Sequence, residues 1–142
     1  MELFGMPGHL IRRMQQHSAQ VFKSKCQAAG FDLTSVQFAA LDALFHNPGI
    51  DQARLAEIIA YDRATIGGVV ERLERKGLVR RDVSKTDRRA RVLAMTPEGA
   101  DLYARMRPVV EALQADILEQ LSEDERQTFL SLSRKALGGA NL

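Results

Sequence analysis

The chain has 142 residues, 45% of them hydrophobic and 27% charged, with a net charge of +2, which suits one domain with its own core and is too short for two of ordinary size. The lone Cys26 excludes an internal disulfide, the three scattered histidines lack zinc-site spacing, and no run approaches the roughly 18 apolar residues of a membrane span. No N-terminal segment has the order of a signal peptide, so the expectation is a cytoplasmic protein with no cofactor and no structural metal.

Residues 1–6 read as irregular, and Pro7 can open a helix because its missing N–H would be unpaired there anyway. Leu10, Ile11, Met14, Val21, Phe22 and Cys26 keep a rough helical period to about Ala29, and Gly30 ends it. Thr34-Ser35-Val36-Gln37 has the capping-box pattern and starts a second, richly apolar helix that runs through Phe45 to the stop at Asn47-Pro48-Gly49. Asp51 caps a short helix carrying Leu55, Ile58 and Ile59, and a tight link at Ala60-Tyr61 joins it to a helix over 62–76. There Ile66, Val69, Val70 and Leu73 fall on one face, Asp62 stands at the N-cap and Gly77 past the end.

Two β-prone runs, 78–83 and 90–95, flank the charged turn 84–89 and predict a hairpin. Thr96-Pro97-Glu98 opens a long helix to about Leu121, bent at Pro108, and Ser122-Glu123-Asp124-Glu125 opens a last one with Phe129, Leu130, Leu132 and Leu137. The fold class is therefore mainly α with a small β-hairpin wing: a helix-turn-helix followed by a hairpin is a winged helix. The terminal helices carry more apolar surface than so small a core covers, which predicts a second copy packed about a two-fold axis.

Charge is unevenly spread. Residues 61–91 carry ten Lys/Arg and five Asp/Glu, a net of +5, while the remainder nets −3. A basic segment within a slightly acidic body is the electrostatic footprint of a polyanion partner.

Leu55-Ala56, Asp62-Arg63-Ala64-Thr65, Arg72-Leu73-Glu74-Arg75-Lys76-Gly77-Leu78-Val79, Asp87-Arg88-Arg89 and Leu93-x-Met95-Thr96-Pro97-Glu98-Gly99 closely resemble the winged helix-turn-helix core of the multiple antibiotic resistance regulator (MarR) family. Length and element order extend the resemblance to nearly the whole chain. It implies a homodimeric bacterial transcription regulator, usually a repressor, that binds a palindromic operator in duplex DNA and is released by a small phenolic or aromatic acid. Residues 1–142 would form one domain, with 34–96 as the DNA-binding lobe and 7–30 and 97–138 as dimerisation helices.

On the 62–76 helix the side away from the apolar face presents Ala64, Gly68, Arg72 and Arg75, with Thr65 at its edge. Gly68 permits close approach to the groove, and Arg63, Thr65 and Arg72 are the candidates for base or phosphate contacts, since arginine offers two donors and threonine a hydroxyl. Arg75 and Lys76 read equally well as a solvated face paired with acids such as Glu71. By resemblance Asp87, Arg88 and Arg89 form the wing contact, with Arg88 or Arg89 in the minor groove and Asp87 holding one of them.

His9, Arg12, Arg13 and His17 bring positive or switchable groups to the first helix, where the family's acidic ligands lie near, and are the candidate effector residues. Two alternatives stand beside this reading: a redox-sensing repressor working through Cys26, which falls on the apolar side of the first helix, and a winged-helix module for protein or RNA without operator specificity. No nucleophile-base pair, glycine-rich phosphate loop or metal cluster points to an enzyme.

Overall fold

The computed structural model describes residues 2–87 and 91–139. After a short 3-10 turn at Leu3–Gly5, these residues form α1 (Pro7–Ala28), α2 (Ser35–His46), α3 (Gln52–Ile58), α4 (Arg63–Arg75), β1 (Val79–Val83), β2 (Arg91–Met95), α5 (Pro97–Ile117) and α6 (Glu123–Ala136). This is the helical fold with a small hairpin that the sequence predicts. Side chains set most of the helix starts. Thr34 and Gln37 cap α2 reciprocally, at 3.2 and 3.0 Å, Asp51 accepts the Arg54 N–H at 2.7 Å, and Ser122 and Glu125 repeat the capping box at α6.

The core sits under α4. Leu41 of α2, Leu55 of α3, Ile66 and Leu73 of α4, Leu93 of β2 and Met106 of α5 are all completely buried, each contributing roughly 1.5–3 kcal/mol relative to an exposed side chain. The hairpin is antiparallel, Val79 opposite Met95 and Val83 opposite Arg91, and Leu93 N–H donates to Ile50 O at 2.8 Å, which ties it to the loop before α3.

Thr96 locks the hairpin to the end of α4. Its hydroxyl donates to Gly77 O at 2.6 Å and accepts the Gly99 N–H at 3.0 Å, while its own N–H donates to Leu78 O at 3.0 Å. Gly77 adopts φ +75°, the left-handed C′ turn. Gly99 is required for a different reason: a Cβ there would collide with the Leu78 carbonyl.

α5 stops at Ile117, short of the expected Leu121. The physical reason lies outside the helix: His17 Nε2 donates to Ile117 O at 3.1 Å and Arg126 Nε to Leu118 O at 3.2 Å, so donors from α1 and α6 satisfy the last carbonyls where the chain turns. The helical arms also leave apolar surface open. α6 buries no residue, and Leu3, Phe4 and Ile11 at one end of the chain and Leu132 and Leu137 at the other are more than half exposed.

Candidate nucleic-acid interface

α3 and α4 meet through the four residues Ile59, Ala60, Tyr61 and Asp62. Ala60 takes φ +59° there, a conformation that costs a non-glycine residue roughly 1–2 kcal/mol, and Tyr61 N–H returns to Ala56 O at 3.0 Å. The turn delivers Asp62 to the N-cap of α4, where one carboxylate oxygen accepts the Thr65 N–H at 2.8 Å and the other the Thr65 hydroxyl at 2.7 Å. These bonds, the backbone one first, hold the Asp62 carboxyl below its ordinary range.

Ile66, Val69, Val70 and Leu73 are buried as the periodicity predicts. The opposite side is open, and by helical spacing Thr65, Gly68 and Arg72 follow one another along a single stripe. A Cβ added at Gly68 would meet nothing within 4 Å, so the space above it is open to the outside.

Six of the ten cations in the basic segment fall into two groups. Arg75 pairs with Glu71 at 2.8 Å, Lys76 with Asp32 at 3.4 Å, Arg80 with Asp82 at 3.2 Å and Arg81 with Glu74 at 3.0 Å; the Arg81 guanidinium also lowers the Glu74 pKa. Arg63 and Arg72 have no such carboxylate among the described residues. Both are exposed, at the leading end and on the open stripe of α4. Paired cations spend part of their field on their acids, so Arg63 and Arg72 carry the undivided charge a phosphate or a guanine edge needs.

In the wing, Ser84 Oγ accepts the N–H groups of Thr86 at 3.2 Å and Asp87 at 3.3 Å, shaping the turn out to Asp87. The candidate residues Arg88 and Arg89 lie outside the described residues.

The four effector candidates on α1 do not converge. His9 meets the Phe4 ring edge to face at 5.5 Å and Arg13 lies over the same ring at 5.5 Å, whereas His17 is engaged with Ile117 O. Arg12 is exposed and shares a helical stripe with Ala19 and Lys23. Ala19 and Lys23 line a cavity of about 310 Å³ with Phe22, Phe31, Leu33 and Ser35. Lys23 and Phe31 were not singled out by sequence, because the cavity forms only when the loop after α1 folds back. Cys26 is buried to 1% exposure, and burial pushes its thiol pKa up, which leaves little of the reactive thiolate.

A helix-turn-helix with an open, cation-bearing second helix and a hairpin wing defines a DNA-binding transcription regulator. The MarR family model matches residues 33–90. The transcriptional regulator HosA of Escherichia coli is 34% identical over 130 residues, covering 91% of this chain and 93% of HosA. The PcaV regulator of Streptomyces coelicolor, solved with its natural ligand, superposes with a TM-score of 0.87 at 33% identity over 96% of this chain and 95% of PcaV. BpsR of Bordetella bronchiseptica, whose DNA binding is regulated by 6-hydroxynicotinic acid, gives 0.86 at 30% identity over 95% of each chain. The chain belongs to the MarR family, and that membership sets it among DNA-binding regulators and apart from enzymes. No helix among the described residues is long and apolar enough to cross a membrane.

Proposed function

We propose that the protein is a homodimeric repressor that grips a palindromic operator through Arg63, Thr65, Gly68 and Arg72 of α4 and through Asp87, Arg88 and Arg89 of the wing, and lets go when a small aromatic acid binds. The observation that carries this reading is the open stripe of α4, where Arg72, which pairs with no carboxylate among the described residues, follows Thr65 and Gly68. A second copy packed on the exposed apolar ends of the chain would place two such helices on one face of the duplex. The effector class is carried over from BpsR and its 6-hydroxynicotinic acid. Positive or switchable groups at Arg12, Arg13, His9 or His17 suit the carboxylate of such an acid, and the cavity beside Lys23, at about 310 Å³, is within the size range of small-molecule pockets.

Fluorescence anisotropy of operator duplexes chosen by in vitro selection tests the reading. Affinity should fall steeply with salt, Arg72→Ala should weaken binding about 10-fold or more and Arg75→Ala less than about 3-fold, and a hydroxybenzoate or hydroxynicotinate should release the DNA. Binding with no preference among duplexes would overturn the repressor reading in favour of an interaction module.

A further inference from the structure

The Asp62–Thr65 pair fixes the direction in which a hydrogen bond can run at the leading end of α4. Thr65 Oγ1 donates to one oxygen of Asp62 at 2.7 Å while the other oxygen accepts the Thr65 N–H at 2.8 Å. A carboxylate accepts only, and a threonine hydroxyl has one proton and two lone pairs. With that proton committed, Thr65 shows an outside partner an acceptor oxygen and a methyl group, and nothing to donate. Its exposure leaves both accessible. Arg63 and Arg72 nearby are donors only, so the same helix surface presents opposite hydrogen-bonding characters.

We propose that Asp62 is a positioning residue for operator specificity: by holding the Thr65 proton it makes Thr65 select an A·T pair in the major groove, where Oγ1 accepts from the adenine amino group and the methyl packs on the thymine methyl. The inference rests on the DNA-binding reading above. An A·T pair offers that donor and that methyl together, whereas a G·C pair offers guanine acceptors, one donor and no methyl. Asp62 itself need not touch DNA.

Asp62→Asn separates this role from simple capping. Asparagine caps a helix about as well as aspartate, because its amide oxygen can still accept the Thr65 N–H. Its NH2 group, however, donates to Thr65 Oγ1, which frees the hydroxyl proton and turns Thr65 into a donor. The preference for A·T at the faced position should then weaken, because a donor finds acceptors on either pair.

The experiment is duplex selection followed by binding measurements with wild type, Asp62→Asn, Thr65→Val and the double variant, each checked by thermal melting. Thr65→Val marks the position read, since it keeps a methyl and loses the hydroxyl. There the wild type should prefer A·T over G·C by about 10-fold, Asp62→Asn should weaken that preference, and the double variant should match Thr65→Val alone. Replacing the thymine by deoxyuridine should weaken the wild type by a few fold, while 7-deazaadenine, which lacks only an acceptor, should cost nothing.

If Asp62→Asn changes affinity for every sequence by one common factor, the carboxylate acts through charge alone and the proposal is overturned. It is overturned equally if the wild type and Thr65→Val select the same bases throughout. Either result leaves sequence-selective DNA binding intact; a wild type that selects no sequence overturns both readings together.

Discussion

Tyr103 makes a polar tie from α5 to α2, and Tyr103→Phe measures its strength. The ring is 2% exposed and stacks on Phe38 at 5.5 Å and Phe45 at 4.9 Å, while its hydroxyl donates to Asp42 Oδ1 at 2.6 Å. Phenylalanine keeps the stacking and removes only the hydrogen bond. A bond to a charged acceptor is worth about 1.5–3 kcal/mol; the Asp42 side chain is 48% exposed and can take water instead, so the loss at pH 7 should be near the lower end, about 1.5 kcal/mol.

The pH dependence gives a second test. Burial first, and then the Asp42 carboxylate, push the Tyr103 phenol up to about 12 from 10.0. A folded-state pKa above the unfolded one contributes stability that is whole below pH 10 and is lost as pH rises from there through about 12. Two units correspond to about 2–3 kcal/mol. Urea unfolding of both proteins between pH 7 and 12 should therefore show the wild type ahead at neutral pH, with the gap closing above pH 10 and reversing towards pH 12, because the variant has no such proton to lose. Parallel stability curves across that range would refute the reasoning.

Gly99→Ala should destabilise by about 1–3 kcal/mol, as overpacking against backbone does, because the Leu78 carbonyl has no rotamer by which to yield; unfolding midpoints within 1 °C of wild type would show the clash is relieved elsewhere. Cys26 should react with DTNB at least about 100-fold more slowly in the native protein than in urea, since a buried thiol must await an opening of the core. Rapid native labelling, with loss of DNA binding on mild oxidation, would instead favour the redox alternative.

Local chemistry made much of this fold legible. The Thr34, Asp51, Asp62, Thr96 and Ser122 caps are each read from a residue and the few that follow it, and each accepts the N–H that such a cap should. The buried face of α4 is likewise a matter of spacing. The Arg75–Glu71 pair, at i and i+4, belongs to the same local class.

What the sequence did not disclose joins distant segments. Lys76 meets Asp32 and Tyr103 meets Asp42, and neither pair has a pattern to search for. His17 is a third case: its ring is directed to the end of α5, 100 residues away along the chain, a contact that no local reading supplies. Gly99 was visible as part of a motif, yet the reason only glycine fits is a carbonyl of the preceding hairpin, which no local reading supplies.

The way α4 is held bears on how DNA release can work. Its start is fixed by the turn from α3 and the Asp62 cap, and its end by Thr96, which binds Gly77 and Leu78 while opening α5. β2 is tied in turn to the loop before α3 through Leu93 and Ile50. Tilting α4 alone would break the cap, the Thr96 bonds and the packing of Ile66 and Leu73 together, a loss of several kcal/mol. An effector that supplies a coupling of about 1–3 kcal/mol cannot drive that. It can shift the α2–α4 and hairpin unit against α1 and α5, where the joints are the Tyr103–Asp42 tie and the Phe22 ring of α1 against Phe38 of α2 at 6.3 Å. In the dimer proposed above, the spacing of the two α4 helices would be set at those joints, and variants there should alter release by effector more than they alter the sequence that is read.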